Sequence, residues 1–126
     1  MSYFTDDEFA CSCCGRSEMN SNFVGLLNQI REDFGKPMVI SSGYRCENHP
    51  AERNKANGPG SHNTGWAADV AVQGADAQRL IECALRNGIT GLGVNQKGSV
   101  GRFIHLDQVP AVGTHKPFTR PTVWSY

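Results

Sequence analysis

Three side chains have types and positions that structural roles alone do not account for: His62, Asp69 and His105. His62 stands at the mouth of a glycine-rich turn, Asn57-Gly58-Pro59-Gly60-Ser61. Asp69 follows seven residues later, inside Ala67 to Val72, where apolar side chains alternate with the period of a strand. His105 lies within Phe103-Ile104-His105-Leu106-Asp107, a second strand pattern, on the face it shares with Phe103 and Asp107. A carboxylate inside an apolar strand is costly unless it is paired or binds a metal. Two imidazoles and one carboxylate make a three-ligand zinc site whose fourth position is open to water, the catalytic rather than the structural pattern. Ala67 and Ala71 flank Asp69 on its own face and leave room for a substrate chain. Taken singly, each residue reads as a turn cap or an ordinary half-buried imidazole. The three together favour zinc.

The five cysteines are Cys11, Cys13, Cys14, Cys46 and Cys83. An odd count argues against a disulfide framework. Cys83 sits in a helical pattern as a small buried filler. Cys11, Cys13 and Cys14 could hold a second, structural zinc with Cys46 as fourth ligand, although their spacing is tighter than the usual two-residue gap. Reduced thiols packing a small knuckle are the other reading.

These groups need elements to position them. Phe23, Leu26, Leu27, Ile30 and Phe34 recur at helical spacing over Asn20 to Phe34, with Asn20 or Ser21 as cap and Gly35 and Pro37 as stop. Met38-Val39-Ile40 reads as a short strand, and a short helix is expected near Pro50. In the strand from Ala67 to Val72, Ala68, Val70 and Val72 point one way, and Ala67, Asp69 and Ala71 the other. Ala75 to Asn87 predicts a helix with Ala77, Leu80, Ile81, Ala84 and Leu85 on one face and Gly88 as its end. Leu92 to Asn95 and Arg102 to Asp107 read as two strands with Gly98-Ser99 between them. The tail from Val109 to Tyr126 holds three prolines and reads as mostly irregular, with Trp124 and Tyr126 docked on the body. The expected fold class is α+β, a small antiparallel sheet with helices packed on one face.

Composition narrows the function. The chain of 126 residues suits one domain over 1–126. Twelve basic and 12 acidic residues give zero formal charge, which disfavours nucleic acid as a partner. No apolar run reaches the roughly 18 residues of a membrane span. Met1 to Phe9 carries three acids and no base, unlike a secretory signal, so a cytoplasmic origin is expected.

The segment His62-Asn63-Thr64-Gly65-Trp66-Ala67-Ala68-Asp69 resembles the H-x-x-G-x-A-x-D motif of the zinc D-alanyl-D-alanine carboxypeptidase family, metallopeptidase family 15. That family shares its fold with the hedgehog signalling domain and with phage endolysins. Ser41-Ser42-Gly43-Tyr44-Arg45 is similar to its S-G-Y-R segment, Phe103 to Asp107 to its F-[IV]-H-[VL]-D strand, and Trp124-Ser125-Tyr126 to its W-x-Y ending. The cysteine-rich knuckle looks like the short phage and prophage branch. The resemblance implies His62, Asp69 and His105 as zinc ligands, and Arg45 as the cation that meets a substrate carboxylate or carbonyl. An ion pair with Glu47 or another acid is the alternative for Arg45. Where many members carry an acid three residues before the last ligand, or a His two before it, this chain has Arg102 and Phe103. Asp107, on the face of His105, is then the candidate general base; its other reading is a carboxylate that orients a ligand imidazole. His49 and His115 are outside candidates.

The implied activity is zinc-assisted hydrolysis of a peptide bond in bacterial peptidoglycan, of the D-Ala-D-Ala carboxypeptidase or L-Ala-D-Glu endopeptidase type. A phage endolysin or virion-associated lysin is the expected setting, acting on the wall after release or from the virion. The alternative is a non-catalytic zinc module that binds a wall peptide or a protein partner.

Overall fold

The computed structural model describes residues 2–111, 113–114 and 116–126. Helix α1 spans Ser21–Phe34: the Asn20 side chain accepts the backbone N–H groups of Asn22 and Phe23, and Gly35, left-handed at φ 76°, ends it. Its buried stripe is Phe23, Leu26, Leu27, Ile30 and Phe34, as the periodicity predicts. Helix α2 spans Gly74–Arg86 and buries Ala77, Leu80, Cys83 and Ala84. Leu85, expected on that face, is instead exposed.

Five strands form one sheet: β1 Val39–Ser42, β2 Ala67–Ala71, β3 Gly91–Asn95, β4 Phe103–Asp107 and β5 Thr122–Ser125. Their order is β1-β2-β4-β3-β5. Neighbours are antiparallel except β3 and β5, which run parallel. The sheet is therefore mixed, and the tail contributes a strand that its prolines concealed. The register explains why. β4 ends with Asp107 opposite Gly91, and Thr122 also pairs with Gly91. The intervening chain only has to turn at one end of the sheet before it meets the free edge of β3, whose unpaired backbone groups invite a strand.

The segment after Pro50 does not become a helix. It makes successive turns, with the N–H groups of Glu52 and Arg53 both donating to the His49 carbonyl. Glu52 is turned inward there and 1% exposed, which a solvated helix face would not permit. Short 3-10 turns at Asp6–Phe9 and Ser61–Thr64 complete the elements.

Each sheet face has its own role. Ala68, Val70, Leu92, Ile104 and Leu106 join the buried stripes of both helices in one apolar core. On the opposite face, the pairings line up Ser42, Asp69, His105, Gly93 and Trp124 in one row across all five strands. Beside it runs a second row, Ala67, Asp107, Gly91 and Thr122. Small residues in both rows leave space for side chains that carry chemistry.

Candidate metal centre

Antiparallel pairing of β2 with β4 sets Asp69 directly opposite His105. His62 comes from the 3-10 turn that follows Gly60, and Gly65, at φ 81°, closes that turn. A Cβ at Gly65 would lie 2.4 Å from the Glu18 carbonyl oxygen, so this turn can pack against the approach to α1 only with glycine there.

The outer nitrogen of each imidazole is occupied. His62 Nδ1 donates to the Gly43 carbonyl at 2.8 Å, which leaves the Nε2 lone pair free. His105 Nε2 donates to Asp107 Oδ2 at 2.6 Å, which leaves the Nδ1 lone pair free. These hydrogen bonds assign the tautomers. The two free nitrogens stand 3.2 Å apart, and Asp69 Oδ1 lies 3.3 Å from His62 Nε2 and 3.0 Å from His105 Nδ1. Three acceptors thus converge in a buried place with no proton left to share in these tautomers. A cation fits that gap. Ligand atoms on a tetrahedral zinc, at bond lengths of about 2.0–2.1 Å, are separated by roughly 3.3 Å, which the observed spacing approaches.

Electrostatics follow the same plan. Burial pushes the His62 imidazole below its ordinary pKa, keeping it neutral. Burial alone would raise the Asp69 carboxyl, but the adjoining His105 and His62 rings outweigh it and hold Asp69 below the ordinary carboxylate range. For His105 burial acts downward, and the carboxylates of Asp107 and Asp69 outweigh it to give a raised pKa. Bringing a metal to this site therefore displaces any proton on His105 Nδ1.

Asp107 is fully buried behind His105, away from the cleft. Its Oδ1 accepts Arg120 Nε at 2.8 Å, and its Oδ2 accepts an Arg120 terminal nitrogen at 2.8 Å as well as His105 Nε2. Burial would raise this carboxyl too, but His105 and Arg120 hold it below its ordinary value. A Cβ at Gly91 would lie 2.0 Å from Asp107 Oδ1, so glycine makes room for the carboxylate.

Arg45 lies at the cleft wall. Its Nε donates to Ser42 Oγ at 3.0 Å, one terminal nitrogen meets Glu52 at 3.3 Å, and the other is 3.6 Å from Asp69 Oδ2. Its acidic partners are thus Glu52 and Asp69 rather than Glu47. Glu52 also accepts the Gly60 N–H at 2.6 Å and Lys55 at 3.0 Å. The cleft, about 310 Å³, is lined by Arg45, Lys55, Ser61, His62, Asp69 and His105, with Phe103, Trp124 and Tyr126 along one side. The Trp124 ring lies 4.9 Å from that of His105, across Gly93.

The structure therefore gathers His62, Asp69, His105 and Arg45 at one cleft, with Asp107 behind. His49 lies elsewhere, its Nε2 3.0 Å from Ser12 Oγ, and His115 is outside the described residues. A second group, Cys11, Cys14 and Cys46, also converges, with sulfurs all within 4.8 Å of one another; Cys13 is not part of it. Glu52 and Arg120 were not expected at the site. Glu52 sits in a stretch that reads as solvated, and Arg120 in a proline-rich tail, so neither carries a local signal.

A buried two-imidazole, one-carboxylate set open to a cleft, with a cation beside it, fits a metal-dependent hydrolase. The chain belongs to the Peptidase M15 family, whose sequence pattern it matches over residues 2–107, and the peptidases of that family are zinc enzymes. No curated protein and no solved structure matches it. Among the described residues, no helix is long and apolar enough to cross a membrane.

Proposed function

We propose that this metallopeptidase hydrolyses a peptide bond in bacterial peptidoglycan stem peptides, as a D-Ala-D-Ala carboxypeptidase or an L-Ala-D-Glu endopeptidase, in the setting of a phage endolysin or virion-associated lysin. The observation that carries the reading is the convergence of His62 Nε2, His105 Nδ1 and Asp69 Oδ1 beside Arg45 in an open cleft. These three atoms would hold the zinc. When bound, zinc polarises the scissile carbonyl and acidifies the attacking water.

The other residues prepare that event. Gly43 and Asp107 fix the two imidazoles so that each presents a lone pair inward. Arg45, braced by Ser42 and Glu52, presents a planar fork suited to a peptide carboxylate. Lys55 adds a second positive charge to the same wall. Asp107 acts as the orienting carboxylate rather than as the base, because both its oxygens are bonded behind His105.

One observation favours a second reading, a non-catalytic zinc module that binds a wall peptide: among the described residues lining the cleft, Asp69 is the only acidic side chain. Digestion of purified peptidoglycan, with mass spectrometry of the products, separates the two. New peptide termini with the zinc-loaded wild type, absent with His62→Ala, establish the hydrolase and identify the bond. Zinc binding without cleavage by the wild type removes the hydrolase in favour of the binding module.

A further inference from the structure

We infer that Cys11, Cys14 and Cys46 form a second metal site, structural and suited to zinc, separate from the cleft and independent of the reaction proposed above. Cys11 and Cys14 are separated by two residues, so the usual ligand gap is present once Cys13 is set aside. The chain between them is a closed knuckle. Cys11 N–H donates to the Arg16 carbonyl at 2.7 Å, Gly15 N–H donates to the Cys11 carbonyl at 2.8 Å, and Gly15 turns left-handed at φ 79°. Cys46 enters from the far side, its own N–H 3.3 Å from Cys11 Sγ. The backbone N–H groups of Cys13 and Cys14 also act on that sulfur, and Arg16 Nε lies 3.5 Å from Cys14 Sγ. Amides and a guanidinium aimed at sulfur are what thiolates require, and thiolates are what zinc takes.

Packing alone gives this corner little support. Its apolar cluster comprises Cys11, Tyr44 and Cys46, with Met19 packed against it. A disulfide would use two of three convergent sulfurs, and all five cysteines are free. Soft sulfur donors in a group of three select zinc over harder cations. One donor stands near for the fourth position: the Cys13 thiol, which interacts with that of Cys46. The bound metal would tie residues 11–16 to the segment Gly43 to Cys46. That segment supplies the carbonyl that orients His62 and carries Arg45.

The test counts metal on the full chain, reduced and loaded with zinc. His62→Ala, which disables the cleft site, is expected to retain one zinc per chain that His62→Ala/Cys14→Ser lacks; Cys14 is exposed, so its replacement spares the core. Cobalt-loaded His62→Ala is expected to show intense thiolate-to-metal charge-transfer absorption, lost in the double variant. Chelation of zinc from His62→Ala is expected to lower its thermal midpoint by more than about 5 °C. His62→Ala that holds no metal, cobalt bound without the thiolate band, or a Cys11–Cys46 disulfide in the isolated protein would overturn the assignment. Failure of the cleft reading looks different: a wild type with a single zinc that His62→Ala keeps.

Discussion

Replacing Asp107 by Asn separates an orienting carboxylate from a general base. In the wild type the carboxylate accepts from His105 Nε2 at 2.6 Å and from Arg120 through two nitrogens at 2.8 Å. An amide has one oxygen. If that oxygen stays with Arg120, the amide NH2 faces His105 Nε2 and forces the proton onto Nδ1, the atom that should hold zinc. If it turns to His105 instead, the amide donors confront the guanidinium. Losing one hydrogen bond to a charged group costs about 1.5–3 kcal/mol of folding stability. Loss of the partner behind a ligand histidine weakens metal binding by about 10–100-fold, equivalent to about 1.4–2.7 kcal/mol. Zinc affinity, read by competition with a chromogenic chelator, should therefore fall by that factor, together with the urea midpoint. Should Asp107→Asn bind zinc as tightly as the wild type and yet lose hydrolysis, the orienting role is wrong and the carboxylate takes part in proton transfer.

Gly91→Ala should act on the same carboxylate from across the sheet, since the new Cβ would lie 2.3 Å from Asp107 Cγ; we expect a loss of about 1–3 kcal/mol in chemical denaturation, and an unchanged midpoint would contradict the packing argument. Arg45→Lys cannot span Ser42 and Glu52 as the guanidinium does, so KM should rise about tenfold with a smaller change in kcat; a drop confined to kcat would reassign Arg45 to the chemical step. Glu52→Gln tests a pH dependence. Burial would raise this carboxyl, but Gly60 N–H, Lys55 and Arg45 hold it below its ordinary value of 4.5. Its contribution to stability is therefore full above pH 4.5 and is lost as pH falls through the lowered folded value. The wild type should exceed the variant by about 1–3 kcal/mol near neutrality, with the gap closing in acid; a constant gap would show that the charge is not what matters.

Both helices and four strands were legible because their side chains carry periodicity, and periodicity reports which face is buried. The convergence of His62, Asp69 and His105 was legible for a related reason: Asp69 and His105 each interrupt an apolar strand, and a shared partner makes both interruptions tolerable. Partnerships set up by long-range geometry were not legible. Arg120 is 13 residues from Asp107, and nothing in its proline-rich surroundings indicates that the chain turns back beside β3. Glu52 lies among polar residues that suggest a solvent face, whereas its burial depends on Arg45, Lys55 and the Gly60 N–H meeting around it. The parallel strand β5 was hidden for the same reason, since an edge that recruits a strand leaves no mark on the recruit. Among the cysteines, Cys11, Cys14 and Cys46 converge most tightly, a grouping that their sequence spacing alone does not single out.

The parallel strand also sets an order of events during synthesis. A ribosome makes the chain from its N-terminus, so His62, Asp69, His105 and Asp107 all emerge before Arg120 and Trp124. Until those later residues emerge, Asp107 lacks its guanidinium, Trp124 cannot cover Gly93, and β3 is an unprotected edge. A nascent chain that stops after β4 therefore holds every candidate ligand while still lacking the parts that brace the site. The cleft can be organised only once β5 has docked, so a released chain truncated between residues 107 and 122 would carry the candidate ligands without an organised centre.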